Sequence, residues 1–572
     1  MKNIRQQIYL GALLHDIGKF YQRADKKFSD KKNELSEYSK NIPEDICPIN
    51  EHGRFGYQHV IWTNEFFEKF NDKLQQIPGV QENRYDKSDT DNIVTFACNH
   101  HKPQTLLQSF ITIGDWWSAG IDRRNANKVN EKDYAGKSIN WDKNRYKTIP
   151  LFSVFNTVNP YNNEDRTFSS AAFKLKRLSV ERDDIFTSQV NKVEDGISEN
   201  EYKKLWDNFA EEFEMLPTDS FDGFTESLLY LLKKYTWCIP SNTMDMANVS
   251  LFEHLKTTAA FADSIYTFYS DGNADKFTFN KVNNRLTVND GVHPVLLVGG
   301  DISGIQKFIY NIASQKAAVS MKGRSFYLQL LIDSIIQKVI THADIKATIG
   351  HVVYSSGGKF YMILPNTQKV KIALNNIKTE IEKELWAEHK GKLAINLSYI
   401  GFAFVNNADN KISIEGKTKN TDLGNLWRSL AEKLNAQKNQ KFKSLLTSSF
   451  FEQNIVDDKI KMCAVTGEEL KKGEWQKLKG TDEYVSKAVA QQTEIGIALK
   501  DADYLMTYRN PKDESKYLSN RSQAQIKVVG VDNYMFDKIE LTKDDADFRQ
   551  ITSADVSRIV LFNNTNPLAA KL

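Results

Sequence analysis

The stretch from residue 293 to residue 405 constrains the fold more than any other part of the chain. It opens with HPVLLVGG (293–300), a short apolar run closed by two glycines, which reads as a buried strand. A helical run follows in SFYLQLLIDSIIQKVI (325–340). HVVYSSGGKFYMILP (351–365) then reads as two strands joined at Gly357-Gly358. A helix over 370–389 and a strand over 392–405 complete the order strand, helix, paired strands, helix, strand. That order predicts a ferredoxin-like sheet.

The rest of the chain is organised differently. At 572 residues it is too long for one hydrophobic core, so three or four domains are expected. Residues 1–125 read as all-helical. The segment 126–285 reads as polar, irregular text (NANKVNEKDYAGKS, VNKVEDGISENEY) followed by a helical extension (WDNFAEEFEML, ESLLYLLKKYTW) that connects to the sheet. The sheet domain is placed at 286–420. Residues 421–572 read as a basic helical region (425–450) and a mixed α/β linker domain. The predicted class is multidomain α+β.

Composition narrows function mainly by exclusion. The formal net charge is only +3, so whole-molecule charge does not announce a nucleic-acid binder, and such contacts must come from local clusters or partner subunits. The four cysteines, Cys47, Cys98, Cys238 and Cys463, form no CxxC pair, which suits a reducing cytoplasm without a disulfide framework. The apolar stretch near the N-terminus is cut off by His15-Asp16 without a cleavage-type site, and no segment approaches the roughly 18 apolar residues of a membrane span. A cytoplasmic protein with no membrane partner is expected.

The chemistry gathers at the N-terminus. His15 and Asp16 sit in LLHDIGKF, at the end of an apolar helix anchored by Ile8, Leu10, Leu13 and Leu14. His59 follows in FGYQHVIWTNEFF, then His100-His101 in ACNHHKP, then Asp115 in GDWWSAGIDR. Adjacent His-Asp lets an imidazole and a carboxylate reach one cation, and a carboxylate can bridge two. Such donors suit Mn, Fe, Co, Ni or Zn better than Ca. A pair of such cations about 3.5–4 Å apart activates water and stabilises the leaving oxygen in phosphodiester hydrolysis. Lys19, one turn past His15, is placed to meet a phosphate. One of His100 and His101 is expected to bind metal while the other packs or contacts substrate, and His52 reads as a loop histidine. The bland alternative, scattered histidines, is disfavoured by their order: HD with GK beyond it, then His, a His pair and Asp.

Further on, Gly299-Gly300 and Gly357-Gly358 let backbone approach a base or phosphate without a β-carbon in the way, or equally serve tight turns. Arg324, in a KGRS segment read as opening a helix, is placed to meet a phosphate. His254 and Lys256 face a nucleotide on one reading; on the other, His254 is a satisfied buried histidine.

Longer matches lie in GGDISGIQKFIY (299–310), MKGRSFYLQLL (321–331) and YSSGGKFYMILP (354–365). They closely resemble the first Palm domain of the large subunit of type III-A (Csm-type) CRISPR–Cas effector complexes. SLFEHLKTTAAFA (250–262) resembles that family's segment joining its HD region to the Palm, and GDWWSAGIDR its HD signature. The resemblance implies an N-terminal HD nuclease domain in which His15, Asp16 and Lys19 act in catalysis, with metal held by His15, Asp16, His59, His100, His101 and Asp115. The metal is expected to be Mn, Ni or Co. It implies a nucleotide-binding Palm carrying Gly300, Asp301, Ser303, Gly304, Ile305, Arg324, Ser356, Gly357 and Gly358, with His254 added, and taking ATP and Mg. The implied function is antiviral: target RNA bound to a crRNA-containing ribonucleoprotein switches on cleavage of single-stranded DNA, and paired Palms convert ATP into cyclic oligoadenylate.

There are departures from the family pattern. Its GGDD signature of the second Palm is missing; the Gly-Gly pairs before a charged residue are Gly300-Asp301 and Gly358-Lys359. The chain stops at Leu572, near where a second Palm would begin, so a truncated or split form is expected. A cyclase needs paired carboxylates holding metal at the triphosphate, so cyclic oligoadenylate is expected only if a GGDD-bearing Palm is supplied. CAVTGEE (463–469) and QQTEIG (491–496) keep one cysteine where the family often has two pairs, and no structural zinc is expected. The basic helix at 425–450 reads either as a contact for crRNA or a neighbouring subunit, or as a solvated face. Two other functions stand beside the main one: a free-standing HD phosphohydrolase, and a scaffold that docks crRNA and partners.

Overall fold

The structure, a computed structural model, describes residues 3–561 apart from 81–89, 121–144, 158–169, 180, 191–196, 198, 244–246, 313–316, 406–410, 447–459, 501, 503, 509–521, 523 and 537–555. The polar stretch NANKVNEKDYAGKS and the end of the basic 425–450 region therefore lie outside the described residues.

The N-terminal half is helical. Numbering the longer elements, it comprises α1 (Ile4–Leu14), α2 (Ile17–Ala24), α3 (His59–Lys69), α4 (Ile93–Cys98), α5 (Ser109–Gly120), α6 (Glu199–Glu214), α7 (Phe221–Thr236) and α8 (Leu251–Ser270). Local chemistry starts several of them. Asn3 accepts from the Gln6 N–H ahead of α1, Asn92 and Thr95 form a reciprocal capping box at α4, and Ser250 accepts from the Glu253 N–H ahead of α8. Each such cap satisfies an otherwise orphaned N–H, worth about 1 kcal/mol. Buried apolar side chains then hold the helices together: Trp206 of α6 stacks on Tyr21 of α2 at 4.1 Å, with the Phe20 ring edge-on at 5.1 Å.

The expected boundary at residue 125 does not close this unit. α8, assigned from sequence to the connector, lies alongside α5 and α1, and its Leu255, Ala259 and Ala262 share one core with Ile8 and Leu13 of α1. Each fully buried leucine contributes about 2 kcal/mol. Periodicity alone could place α8 as a helix but could not say which helices it packs against.

The sheet follows. Its elements are β1 (Val295–Ser303), α9 (Ile305–Tyr310), α10 (Ala317–Ile340), β2 (Val352–Ser356), β3 (Lys359–Pro365), α11 (Gln368–His389), β4 (Ala394–Phe404), β5 (Ile412–Ile414) and α12 (Leu423–Lys438). The strand order is β2-β3-β1-β4-β5, antiparallel throughout, with Val298 of β1 opposite Met362 on one side and Tyr399 on the other. The first four strands have the order expected of a ferredoxin-like sheet. Val295 and Leu297 belong to the core shared with α8 and α12, whereas Leu296 and Val298 belong to the core under α10 and α11. Both faces of β1 are thus covered, which is why its sequence is an unbroken apolar run rather than an alternation.

The basic helix of the sequence reading is α12. It buries Leu426, Leu430 and Leu434 against β1 and β4 and leaves Arg428 and Lys433 exposed, so it is an amphipathic cover for the sheet. Beyond it come α13 (Lys487–Ala498), packed on α10, and an antiparallel sheet of order β7-β8-β6-β9 built from β6 (Tyr504–Tyr508), β7 (Ala524–Val528), β8 (Val531–Phe536) and β9 (Val556–Leu561). Cys463 is buried among Val465, Leu470, Val485 and Val489, and QQTEIG lies within α13. No described helix is long and apolar enough to cross a membrane.

Candidate metal centre and nucleotide face

α1 ends at Leu14, and His15 and Asp16 fill the junction before α2, both without exposed surface. His15 Nδ1 lies 2.7 Å from the Ala12 carbonyl, which can only accept, so Nδ1 carries the proton and Nε2 turns inward. His100, just past α4, is held the same way by Ala97 at 2.6 Å. Thr63 Oγ1 donates to the His15 carbonyl and Thr112 Oγ1 to the His100 carbonyl, so each histidine's backbone is tied to a neighbouring helix.

Around Asp16 the donors converge. Its Oδ1 lies 2.9 Å from His59 Nε2 and 3.7 Å from His100 Nε2; its Oδ2 lies 3.3 Å from His15 Nε2 and 3.2 Å from His254 Nε2. Asp115 Oδ1 approaches His254 Nε2 at 3.1 Å and His15 Nε2 at 3.5 Å, and His101 Nε2 stands 3.3 Å from His59 Nε2. Two candidate ligand groups result: Asp16, His59, His100 and His101, and His15, Asp16, Asp115 and His254. Asp16 belongs to both, one carboxylate oxygen turned toward each set. Both Asp16 oxygens and the Nε2 atoms of His15, His100 and His254 are buried within ion-pair distance of one another, yet none has an aligned hydrogen-bond partner. Buried polar atoms left so are costly. Ring nitrogens and carboxylate oxygens that converge on a shared point without aligned hydrogen bonds are what cation ligands require, and the donor set fits a divalent transition metal.

The electrostatics agree. Burial alone would lower the His15 pKa, but the Asp16 and Asp115 carboxylates outweigh it and raise it to about 9; His254 is raised by the same pair against its burial. Burial would raise Asp16, but Lys19, His15 and His59 hold it well below the usual carboxylate range. His100 is pushed down to about 3 by burial and by the His15 charge, and burial likewise depresses His59 and His101.

All six ligand positions expected from sequence meet here, and both members of the His100-His101 pair face the cluster. His254 is the correction. The resemblance implies a place among the nucleotide-binding residues, but His254 lies on α8 among the candidate ligands, its Nδ1 3.0 Å from Ser118 Oγ. Close packing brings it there: a β-carbon on Gly114 of α5 would stand 2.9 Å from the Thr258 carbonyl of α8, so only glycine lets Asp115 and His254 approach. Its one sequence signal was a histidine in the apolar stripe of Leu251, Leu255 and Ala259. Lys19 Nζ lies 2.5 Å from Asp16 Oδ2, so here it neutralises the shared carboxylate. His52 is an exposed loop residue, and Lys256 pairs with Glu253 at 2.7 Å.

The other expected set gathers at one end of the first sheet. Gly357 and Gly358 both have positive φ and join β2 to β3 in a two-residue turn, beside exposed Ser356. The Gly358 carbonyl accepts from the Ile302 N–H, and a β-carbon on Gly358 would collide with Ile305 Cδ1. Gly300, Asp301, Ser303 and Gly304 run along the neighbouring strand end; Asp301 pairs with Lys438 at 2.7 Å and Ser303 Oγ accepts from Asn396 Nδ2 at 2.6 Å. Arg324 does not join them. The KGRS segment lies inside α10 rather than opening it, and Arg324 is buried, donating to the Phe308 and Asn311 carbonyls and covering the Phe308 ring. Those carbonyls end α9, so Arg324 caps a helix C-terminus.

Fold and site define a multidomain protein whose helical half carries a candidate two-cation centre beside a ferredoxin-like sheet. A family model described as Csm1 subunit domain B matches residues 294–455, the sheet and α12. Curated proteins named single-strand-specific deoxyribonuclease Cas10/Csm1 (subtype III-A) match along most of the chain. The one from Methanocaldococcus jannaschii is 29% identical over 487 residues, covering 81% of this chain and 54% of that protein. The one from Enterococcus italicus is 27% identical over 463 residues, covering 77% of this chain and 51% of that protein. Among solved structures, a Csm1-Csm4 subcomplex of a type III-A CRISPR-Csm interference complex matches with TM-score 0.53 and 18% identity, over 94% of this chain and 56% of that one. A Csm1-Csm4 cassette in complex with one ATP matches at TM-score 0.53 and 16% identity, with the same coverage. The chain is thus similar, along most of its length, to Cas10/Csm1 proteins of type III-A CRISPR systems. It spans about half the length of the curated relatives it matches.

Proposed function

We propose that the helical unit is an HD nuclease domain that hydrolyses single-stranded DNA at two divalent cations, within the large subunit of a type III-A CRISPR effector in antiviral defence. The observation that carries this reading is the convergence of two candidate ligand groups on Asp16, with buried nitrogen and oxygen atoms that have no aligned hydrogen-bond partner. His15, Asp115 and His254 would hold one cation and His59, His100 and His101 the other, with Asp16 shared. The donor chemistry favours Mn, Ni or Co. When bound, such cations supply activation of water and neutralise charge on the phosphodiester transition state. The chain's own residues orient the reaction: the Nδ1 hydrogen bonds of His15 and His100 fix the ring planes, and Lys19, partly exposed at the rim, faces the phosphate.

The ferredoxin-like unit is read as the first Palm. Asp301, Ser303, Gly304 and Ile305 with the turn Ser356-Gly357-Gly358 form half of a site for ATP and Mg, a reading supported by the ATP in the similar Csm1-Csm4 cassette. Cyclic oligoadenylate synthesis would need a GGDD-bearing Palm in addition. The names of the relatives support single-stranded DNA as substrate, and the Csm1-Csm4 structures support assembly with other type III-A subunits. A crRNA-loaded complex, target RNA as activator and a cytoplasmic setting complete the proposal.

The test is cleavage of labelled single-stranded DNA with Mn²⁺ by the full chain, alone and with crRNA-loaded partner subunits and target RNA. Cleavage by wild type and its loss in His15→Ala/Asp16→Ala are expected. Cleavage retained in the double variant would overturn the assignment of the site, and none from wild type in any setting would favour a scaffold.

A further inference from the structure

One aromatic side chain at the metal centre belongs to neither ligand group. Residues 48–58 fold back on themselves before α3: the Gly56 N–H donates to the Pro48 carbonyl, the Asn50 N–H to the Arg54 carbonyl, and Ile49 bridges Phe55. At the end of this hairpin Tyr57 adopts φ of +50°, the left-handed region that a bulky side chain rarely occupies. Such a conformation persists only where the surroundings impose it, and it concentrates at functional sites.

The conformation holds the ring in an unusual place. Tyr57 is 56% exposed, yet its ring centroid lies 3.9 Å from that of His101, the planes inclined by 32°, and the His59 ring stands edge-on at 6.3 Å. His101 covers part of the phenol and the rest faces solvent. From His101 Nε2 to His59 Nε2 is 3.3 Å, and from there to Asp16 Oδ1 is 2.9 Å, so along this path two side chains separate the exposed ring from the shared carboxylate. The same hairpin exposes His52 and Arg54, the latter in no ion pair among the described residues.

A flat, exposed ring beside a phosphodiester-cutting centre, on the same hairpin as Arg54, has the two components of sequence-independent single-strand binding: a stacking surface and a positive charge for the backbone. We propose that Tyr57 is a base-stacking platform, receiving a base of the single-stranded nucleic acid next to the phosphate being cut. The proposal rests on the nuclease reading and adds to it the element that selects unpaired strands. A base within a duplex has both faces covered by its neighbours and must be unstacked before it can lie on Tyr57.

The test uses the full chain and a single-stranded oligonucleotide carrying 2-aminopurine, whose fluorescence is quenched by stacking, titrated in Ca²⁺ so that binding is read without cleavage. Wild type is expected to quench the probe. Tyr57→Ala should lose the quenching and bind about tenfold or more weakly, and Tyr57→Phe should restore both. Quenching and affinity unchanged in Tyr57→Ala would overturn the proposal, as would wild type binding without quenching or not binding at all. If Tyr57 only buttresses His101, Tyr57→Ala would keep the quenching and instead lower the manganese bound per chain, which also overturns it. Failure of the nuclease reading shows separately, as absence of Mn²⁺-dependent cleavage by wild type.

Discussion

His254 Nε2 lies 3.1 Å from Asp115 Oδ1 and 3.2 Å from Asp16 Oδ2, although α8 enters the chain after every other ligand element. The helix that completes the candidate centre is also the one that meets the sheet. Asp263, further along α8, is held by both arms of Arg5 from α1 at 2.8 Å and by His351 Nε2, just before β2, at 3.0 Å. One helix therefore carries a histidine of the candidate centre and a buried polar contact that reaches both α1 and the residue before β2.

If His254 is a ligand, His254→Ala should lower bound manganese from about two toward one per chain. Cleavage should fall by at least the roughly 10- to 100-fold that loss of an outer partner costs a metal site. Elemental analysis and single-stranded DNA cleavage read the two effects. Unchanged stoichiometry would return His254 to a packing role.

Metal loading should release protons near neutral pH. In the metal-free protein His15 is raised to about 9 and His254 is also raised, against burial, by Asp16 and Asp115. At pH 7 His15 holds an extra proton that a cation must displace, so apparent affinity should rise with pH until about 9. Calorimetric titration of Mn²⁺ in buffers of different ionisation enthalpy measures the protons released. Release of none would show that these histidines are neutral before metal arrives.

The sequence carried more of the fold than of its assembly. The ferredoxin-like order was legible because β1, β3 and β4 are short apolar runs separated by helices of ordinary period, and Gly357-Gly358 marks its turn without ambiguity. The candidate ligands from His15 to Asp115 could be singled out because they lie in short motifs with distinctive neighbours. His254 was not, since nothing local separates a candidate ligand on a buried helix face from a core histidine; the close α5–α8 packing through Gly114 is what brings it to the cluster. Arg324 misled for a related reason. Its charge suggested a phosphate, but the burial that turns it to the carbonyls ending α9 comes from the packing of α10, which local pattern does not encode.

Acid should weaken the chain at His389 before it reaches the carboxylates. Burial, with the nearby Lys392 and Arg324 charges, lowers His389 to about 3, and the Tyr327 hydroxyl lies 2.6 Å from its Nε2. A histidine depressed on folding binds more protons when unfolded. Its stabilisation is therefore full above about pH 6.5 and is lost as pH falls toward 3, an effect on the order of a few kcal/mol. Denaturation midpoints followed from pH 7.5 to 4.5 should fall for wild type and fall less steeply for His389→Gln, which cannot titrate. Parallel slopes would assign the acid sensitivity elsewhere.

The Arg5–Asp263–His351 contact should be costly to break on one side and cheap to replace whole. Burial alone would raise the Asp263 pKa, but Arg5 and His351 hold it far below the usual carboxylate range, so the carboxylate stays charged inside the protein. Asp263→Ala leaves the Arg5 guanidinium, mostly covered, without its counter-charge, at a cost of about 3–5 kcal/mol. Arg5→Met/Asp263→Leu removes both charges together and should recover most of that loss, because the desolvation penalty of each ion disappears with it. Hydrogen exchange localises the effect: Asp263→Ala should speed exchange in α1, in α8 and around His351 together, and the double variant should restore slow exchange. If Asp263→Ala opened α8 alone, the contact would be local to that helix and would not join the helical unit to the sheet.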